Sequence, residues 1–317
     1  MNKRKATKYI LISIFIVILI VLGVSYMNVR NKIYKKQKIT FDSSKQNQDY
    51  NVKDTNSNKE EITNILLVGT DNREPNETSR ADSIIIATID RKHNKIKFSS
   101  ILRDTNVNIK GYGEDKINAA YAYGGVELLI DTIYKNLEIK LNEYIIIDFL
   151  GFEKLIDTLG GLEINIKSYE IKEMNKFIGE VHEIKSPKIK RAGIQVLDGQ
   201  QVLAYTRIRK VGNGVYERTE RQRKVMTLIT DKTKDVSVFK YPSIVSSLME
   251  GIETNIEPIN LIKHALTVYN MDDLKFEQIQ IPSDKYSKGK TYKGSWKILM
   301  NKNQNSKLLH EFIYEDN

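Results

Sequence analysis

Residues 62–71 read ITNILLVGTD, an apolar, β-branched run that stops at Gly-Thr-Asp. Such a run, continuous and not alternating, predicts a strand covered on both faces. Working outward, residues 83–89 (SIIIATI) and 96–101 (IKFSSI) are of the same kind, separated by a polar turn at 91–95. Residues 144–149 (YIIIDF), 163–166 and 276–281 give further strands. Helical patterns lie between and after them. They cover 115–137 (interrupted by Gly124-Gly125), 152–159 (stopped by Gly160-Gly161), 197–205 (entered through Asp198-Gly199), 218–232 and 258–269. Strands alternating with helices predict an α/β fold, a three-layer α/β/α domain around a central mixed sheet. No repeat or composition break follows residue 62, so residues 62–317 are expected to form one domain.

The N-terminus is of another kind. Residues 10–24 (ILISIFIVILIVLGV) carry no charge, and the low-polarity stretch 9–27 is 19 residues long. That length spans a hydrocarbon core as a helix, with Tyr9 and Tyr26 where interfacial aromatics belong. No small-x-small pattern follows the run, which favours a retained signal anchor over a cleaved signal peptide. Four basic residues precede the span and five follow closely, so charge does not orient it. The short leading tail does, placing residues 1–8 in the cytoplasm and everything after Met27 outside the cell. Residues 41–61 are rich in Asn, Ser, Asp and Lys and nearly free of aliphatics, and residues 28–61 are expected to be a flexible stalk.

Composition narrows the chemistry. The 317 residues include no cysteine, which excludes disulfide scaffolds, thiolate metal sites and thiol catalysis. The four histidines (His93, His182, His264 and His310) share no metal-ligand spacing. The net charge of +10 has a local origin. Nine of the 50 Lys and Arg fall in residues 1–40, where there is no Asp or Glu, leaving 41 basic against 40 acidic side chains elsewhere. A body so near neutrality is not expected to bind nucleic acid.

Four polar clusters sit at the ends of apolar elements: Gly69-Thr70-Asp71, Arg80-Ala81-Asp82, Arg103-Asp104-Thr105, and a fourth running from Arg207-Ile208-Arg209 through Arg218 to Arg221-Gln222. Strand ends are where α/β sheets place ligands. In the helix near Arg218, positions 218, 222, 225, 226 and 229 share one face. Val225, Met226 and Ile229 mark that face as buried, and Arg218 with Gln222 extend it by a turn. Long polar side chains on an inward face need partners, and an anion near a helix N-terminus supplies one. Several arginines with isolated aspartates suit a polyphosphate: guanidinium groups bind phosphate oxygens as a fork, and carboxylates hold a hard cation against them. There is no P-loop and no dinucleotide fingerprint.

In this order, NILLVGTDNR (64–73), SRADS (79–83), LRDTNV (102–107), KINAAYAYGG (116–125), IDFLGF (147–152), LIDTLGGLEI (155–164), LDGQQVLAYTRIR (197–209) and ERTERQR (217–223) resemble the LytR–CpsA–Psr family of membrane-anchored cell-wall phosphotransferases. The resemblance covers about residues 62–232. It implies transfer of a glycopolymer phosphate from a polyprenyl-pyrophosphate-linked donor to a peptidoglycan sugar hydroxyl, outside the cell membrane. It implies pyrophosphate contacts from Arg80, Arg103, Arg207, Arg209, Arg218 and Gln222, with Asp71, Arg103, Arg207 and Arg209 as the catalytic set. It further implies Mg²⁺, or Mn²⁺, at Asp71 and Asp82. The family's lipid lies in an apolar tunnel. Candidates for its wall are Ala119, Ala120, Ala122, Leu128, Leu129, Ile133, Phe149, Phe152 and Leu155, each of which reads equally well as ordinary core. Departures from the family pattern are Ala81, Leu102 where Pro commonly precedes Arg-Asp-Thr, and Val215 where Asp is common. Two other readings stay open from sequence: a non-catalytic polyprenyl-phosphate-binding regulator, and a polyprenyl-pyrophosphate hydrolase.

Overall fold

The structure is a computed structural model that describes residues 27–28, 30–35, 61–71, 79–180, 182–234, 236, 251–292 and 294–315. The proposed span over 9–27, save Met27, and the stalk over 36–60 lie outside the described residues. Among the described residues no helix is long and apolar enough to cross a membrane.

Strands β1 (Ile62–Thr70), β2 (Ala81–Asp90) and β3 (Lys95–Ile101) form an antiparallel meander. A short hairpin, β4 (Asn106–Ile109) and β5 (Gly113–Lys116), leads into α1 (Ile117–Leu137). Then come β6 (Glu143–Ile147), α2 (Phe149–Thr158), β7 (Leu162–Ile166), α3 (Ile171–Phe177), β8 (Gly193–Leu197), α4 (Gly199–Arg207) and α5 (Val215–Lys234). The chain finishes with β9 (Ile252–Thr254), α6 (Pro258–Tyr269), β10 (Lys275–Ile281), the hairpin β11 (Ser287–Tyr292) and β12 (Ser295–Met300), and α7 (Lys302–Tyr314). The main sheet runs β10-β3-β2-β1-β6-β9. It is mixed: β10 pairs parallel with β3 and β6 parallel with β1, while the other pairs are antiparallel.

Alternation along the central strands separates two faces. Leu66, Val68, Ile84, Ile86, Tyr144 and Ile146 pack under α1 and α7. Ile65, Ile85 and Phe98 face the other way, with Met226 of α5 and Leu261 and Val268 of α6. Both faces are covered, which is why these strands read as unbroken apolar runs. A third core joins α2, α4 and α5 to β7 and β8. Among the described residues β7 pairs only with β8, outside the main sheet.

The predicted break in the first long helix is real. Gly124 and Gly125 leave helical geometry, with φ of +65° at Gly125, a conformation that costs glycine little. At the start of α4, Asp198 and Gln201 form a capping box. A Cβ on Gly199 would lie 2.4 Å from the Glu153 carbonyl oxygen, so glycine lets α4 close onto α2.

The expected stalk, 28–61, needs a correction at its start. Residues 30–33 are helical, Ile33 is buried, Tyr34 bridges to Thr254, and the Lys35 amide donates to the Thr254 carbonyl at 2.8 Å. Arg30 forms a bidentate pair with Glu257, its Nε and Nη2 at 2.9 and 3.0 Å from the two carboxylate oxygens. The polar composition that suggested a stalk belongs to 41–61. Ile33 and Tyr34 have apolar surface to bury, and β9 offers an open edge to pair with.

Candidate active site

One cavity of about 910 Å³ lies between the face of the sheet that carries Leu67, Ile85 and Ile145 and the helices α2, α4 and α5. All eight residues singled out from sequence line it: Asp71, Arg80, Asp82, Arg103, Arg207, Arg209, Arg218 and Gln222. The strand ends deliver the first four. β1 and β2 pair Gly69 with Ser83 and Thr70 with Ala81, so Asp82 is the extra residue of a β-bulge. Bulges re-aim side chains beside sites, and this one turns Asp82 into the cavity. Arg103 stands in the turn after β3. That turn is fixed by Thr105, whose amide and hydroxyl both donate to the Leu102 carbonyl. The Leu102 amide itself donates to Ile281 at 2.7 Å, a bond that the proline expected there cannot make.

The face of α5 read from sequence is the face observed. Arg218, Gln222, Val225, Met226 and Ile229 all reach the cavity. Arg221, one position before Gln222, turns away and is bound by Glu170, Glu217 and the Ile208 carbonyl. The side chain of Val215, the first residue of α5, is outside the described set.

Positive charge exceeds its partners here. Asp82 pairs with Arg103, and Asp104 with Lys116 at 2.7 Å. Arg218 is buried, and among the described residues it reaches oxygen only at the Asp82 carbonyl, 3.3 Å away. Burial, and then the charges of Arg103 and Arg209, push its pKa down to about 10, outweighing Asp82 and Asp104. Five buried polar atoms around this end have no hydrogen-bond partner among the described residues: Thr70 Oγ1, Ser79 Oγ, Arg103 Nε, Asn118 Oδ1 and Arg218 Nε. Buried polar groups are normally satisfied, so a cluster of orphans at one end of a cavity marks a place for a polar ligand.

The rest of the cavity is apolar. Leu67, Ile85, Ile145 and Ile147 of the sheet face Phe152 and Leu155 of α2 and Met226 and Ile229 of α5. Arg207 sits at the boundary. Its guanidinium lies 4.8 and 4.7 Å from the ring centroids of Phe149 and Phe177, and its Nη2 is 2.6 Å from Glu180. The site therefore joins a cationic end to an apolar slot, as an amphiphile with an anionic head requires.

Of the expected tunnel residues, only Phe149, Phe152 and Leu155 line the cavity. Ala119, Ala120, Leu128, Leu129 and Ile133 pack into the core on the opposite face of the sheet, and Ala122 is not on the cavity wall either. Lys116 and Asn118 belong to the site, although the motif containing them was read only as a family signature. Phe177 and Glu180 lie in a stretch with no motif at all. Asp148 also lines the cavity; it caps α2 by accepting from the Gly151 amide, and burial raises its pKa.

Among the described residues no group of three or more His, Cys, Asp or Glu side chains could hold a metal ion. Asp71 and Asp82 both face the cavity, with the unpartnered Thr70 and Ser79 hydroxyls beside them in the lining. That set fits a hard cation completed by ligand phosphates and water, and no site built from protein ligands alone.

The family model described as the LytR_cpsA_psr family matches residues 24–312. The chain is 34% identical over 256 residues to the regulatory protein MsrR of Staphylococcus aureus strain COL, covering 80% of this chain and 74% of that one. It is 32% identical over 267 residues to the polyisoprenyl-teichoic acid–peptidoglycan teichoic acid transferase TagU of Bacillus mycoides, covering 83% of each. It is also similar to the structure of the LytR-CPS2A-psr family protein YwtF (TagT) with bound octaprenyl pyrophosphate lipid. The TM-score there is 0.61 and the identity 25%, covering 90% of this chain and 97% of that one.

Proposed function

The chain belongs to the LytR_cpsA_psr family, and from that membership and the cavity we propose that it transfers a glycopolymer phosphate from a polyprenyl-pyrophosphate-linked donor to a peptidoglycan sugar hydroxyl. One observation carries the reading: buried, unpartnered polar atoms gather at the cationic end of a cavity whose other walls are apolar. The pyrophosphate sits among Arg80, Arg103, Arg207, Arg209, Arg218 and Gln222, and the prenyl chain lies along Leu67, Ile85, Ile145 and Phe152.

In this reading the acceptor oxygen forms a bond to the sugar-linked phosphorus. The bond from that phosphorus to the bridging oxygen breaks, and polyprenyl phosphate leaves with the electron pair. Asp71, at the end of β1, accepts the acceptor's proton. Arg103, Arg207 and Arg209 stabilise charge on the transferring and leaving oxygens, which is most of what phosphoryl transfer asks of a protein. Arg207, wedged between two rings, fixes the head at the mouth of the slot. Asp71 and Asp82 would hold Mg²⁺ or Mn²⁺, which would supply Lewis-acid stabilisation of the phosphate charge. The reading includes an N-in, single-pass anchor at residues 9–27, with the catalytic domain outside the cell membrane.

The test is the full-length chain in vesicles with a lipid-linked oligosaccharide donor and peptidoglycan fragments, followed by mass spectrometry. A glycan-phosphate adduct on peptidoglycan is expected. Free glycan phosphate alone would make the protein a hydrolase, and no cleavage at all would leave a binding protein. Excess chelator and Asp82→Ala should each abolish transfer. Undiminished turnover in chelator would remove the metal from Asp71 and Asp82.

A further inference from the structure

Helix α6 (Pro258–Tyr269) buries one face and leaves the other bare. Leu261 and Val268 pack against the sheet. Ile259, Ile262, Leu266 and Tyr269 remain 48%, 36%, 38% and 45% exposed. These four follow helical spacing and form one stripe, with Ala265 exposed beside them. Single exposed apolar side chains are ordinary; four aligned on one helix face call for a partner.

The N-terminal segment says which partner. Arg30 is bound through two nitrogens to Glu257, the N-cap of α6. Arg30 is three positions beyond Met27, where the 19-residue low-polarity stretch ends. Residues 27–28 and 30–33 are helical, and three helical residues rise about 4.5 Å. If residues 9–27 span a bilayer, the N-terminus of α6 is held within about one helical turn of its surface. Lys32 and Lys263 are exposed nearby in sequence to this junction, as cations beside anionic headgroups should be. The cavity points the same way: Ile252, part of its apolar wall, belongs to β9, the strand that carries Tyr34 and leads through Glu257 into α6.

We propose that α6 is a membrane-seating helix, its Ile259–Ile262–Leu266–Tyr269 stripe lying in the outer interface of the bilayer that holds the anchor. A short amphipathic helix lies flat at that depth with its apolar face in the acyl boundary. The seat holds the β9 side of the cavity against the bilayer, from which a prenyl donor must enter. The inference rests on the anchor assigned under the proposed function.

Because the chain has no cysteine, single-cysteine labelling is unambiguous. Ile262→Cys, Leu266→Cys and, as an exposed apolar reference on β8, Ile194→Cys are made in the full-length chain. Each is labelled with an environment-sensitive fluorophore and reconstituted in vesicles containing anionic phospholipid. Nitroxide attached to the lipid chains should quench the probes at 262 and 266 several-fold more than the probe at 194, and aqueous iodide should do the reverse. Free access of iodide to 262 and 266 in protein that floats with the vesicles would overturn the seat while leaving the anchor intact. Shielding from both quenchers would overturn it too, because the stripe would then be covered by protein, either a second copy or residues 237–250. Failure to float with the vesicles would remove the anchor, and the seat with it.

Discussion

Strands β2 and β3 bury charge at both ends, and the two ends treat it differently. Where β2 finishes, Asp90 and Lys97 are each about 1% exposed and stand 3.1 Å apart. His93 adds a contact to Asp90 at 2.9 Å, and Lys97 also donates to the Ile313 carbonyl of α7. Burial alone would raise the Asp90 carboxyl. The hydrogen bonds from His93 and Lys97, with the charge of Lys97, outweigh it and hold the pKa below its ordinary value. Where β2 begins, Arg218 is also buried, but its neighbours include Arg103 and Arg209, and its pKa falls. One end is a closed account of opposite charges. The other is complete only with an anion in place. Buried charge reports function when its compensation is missing.

The largest effect should come from opening the closed end. Lys97→Met keeps the stem and removes the cation, leaving Asp90 with His93 alone. Breaking a buried pair in this way costs about 3–5 kcal/mol, measurable by urea unfolding, while the folded fraction should retain its turnover. The pH dependence has a definite sign. The stabilisation from Asp90 is present above its unfolded pKa of about 3.9 and is lost as pH falls through the lower folded value. Acid sensitivity below about pH 4 should therefore shrink in the variant. A loss below about 1 kcal/mol would mean that the pair is idle.

At the open end, charge should matter for rate and not for stability. Arg103→Lys and Arg209→Lys are expected to fold with near-normal melting temperature and to transfer about 10²–10³ more slowly, as after removal of one oriented donor. Lysine keeps the charge and loses the fork. Normal turnover in both would mean that these arginines touch neither the transferring phosphate nor the leaving one.

Arg218 tests the missing compensation directly. In the wild type, donor at about 100 times its Kd should add about 2.7 kcal/mol of stability. Arg218→Met should lose that increment and, freed of a desolvated cation beside two others, melt at or above the ligand-free wild type. A lower ligand-free melting temperature would make Arg218 a structural residue.

How much of this was legible in the sequence follows from the same contrast. Polar side chains on inward positions announce themselves: helical spacing puts Arg218 and Gln222 on an inward face, the aspartates and the other arginines stand out as polar clusters at the ends of apolar elements, and the family resemblance assigns them to one site. Apolar walls do not announce themselves. Leu129 and Phe152 look alike in sequence, but Leu129 packs from α1 onto the filled face of the sheet and Phe152 faces the cavity, because the packing of helices decides which side of the sheet stays hollow. The helix expected over 197–205 runs instead from Gly199 to Arg207, since the capping box at Asp198 starts it and Ile208 closes it. The hairpin β11–β12 and helix α7 gave no signal in the sequence reading. Their polar stretches hide the few side chains, Ile298, Leu309 and Ile313, that complete the core.

The smallest expected effect bears on that hollow side. Ile84 and Ile85 are adjacent in β2, both nearly inaccessible, and point to opposite faces. Ile84 belongs to the packed core under α1, while Ile85 lines the cavity. Removing one methylene from a packed core costs about 0.5–1.5 kcal/mol, because the neighbours close the gap only in part. At Ile85 the neighbouring space is already open, so Ile85→Val removes fewer protein contacts and should cost less than Ile84→Val in ligand-free protein. With the donor bound, the order should reverse in a second observable. Ile85→Val should weaken donor binding and raise KM with little change in kcat, whereas Ile84→Val should leave both alone. The pair separates a filled slot from a void: equal costs in stability, with no change in KM at Ile85, would mean that the prenyl chain does not lie against the sheet.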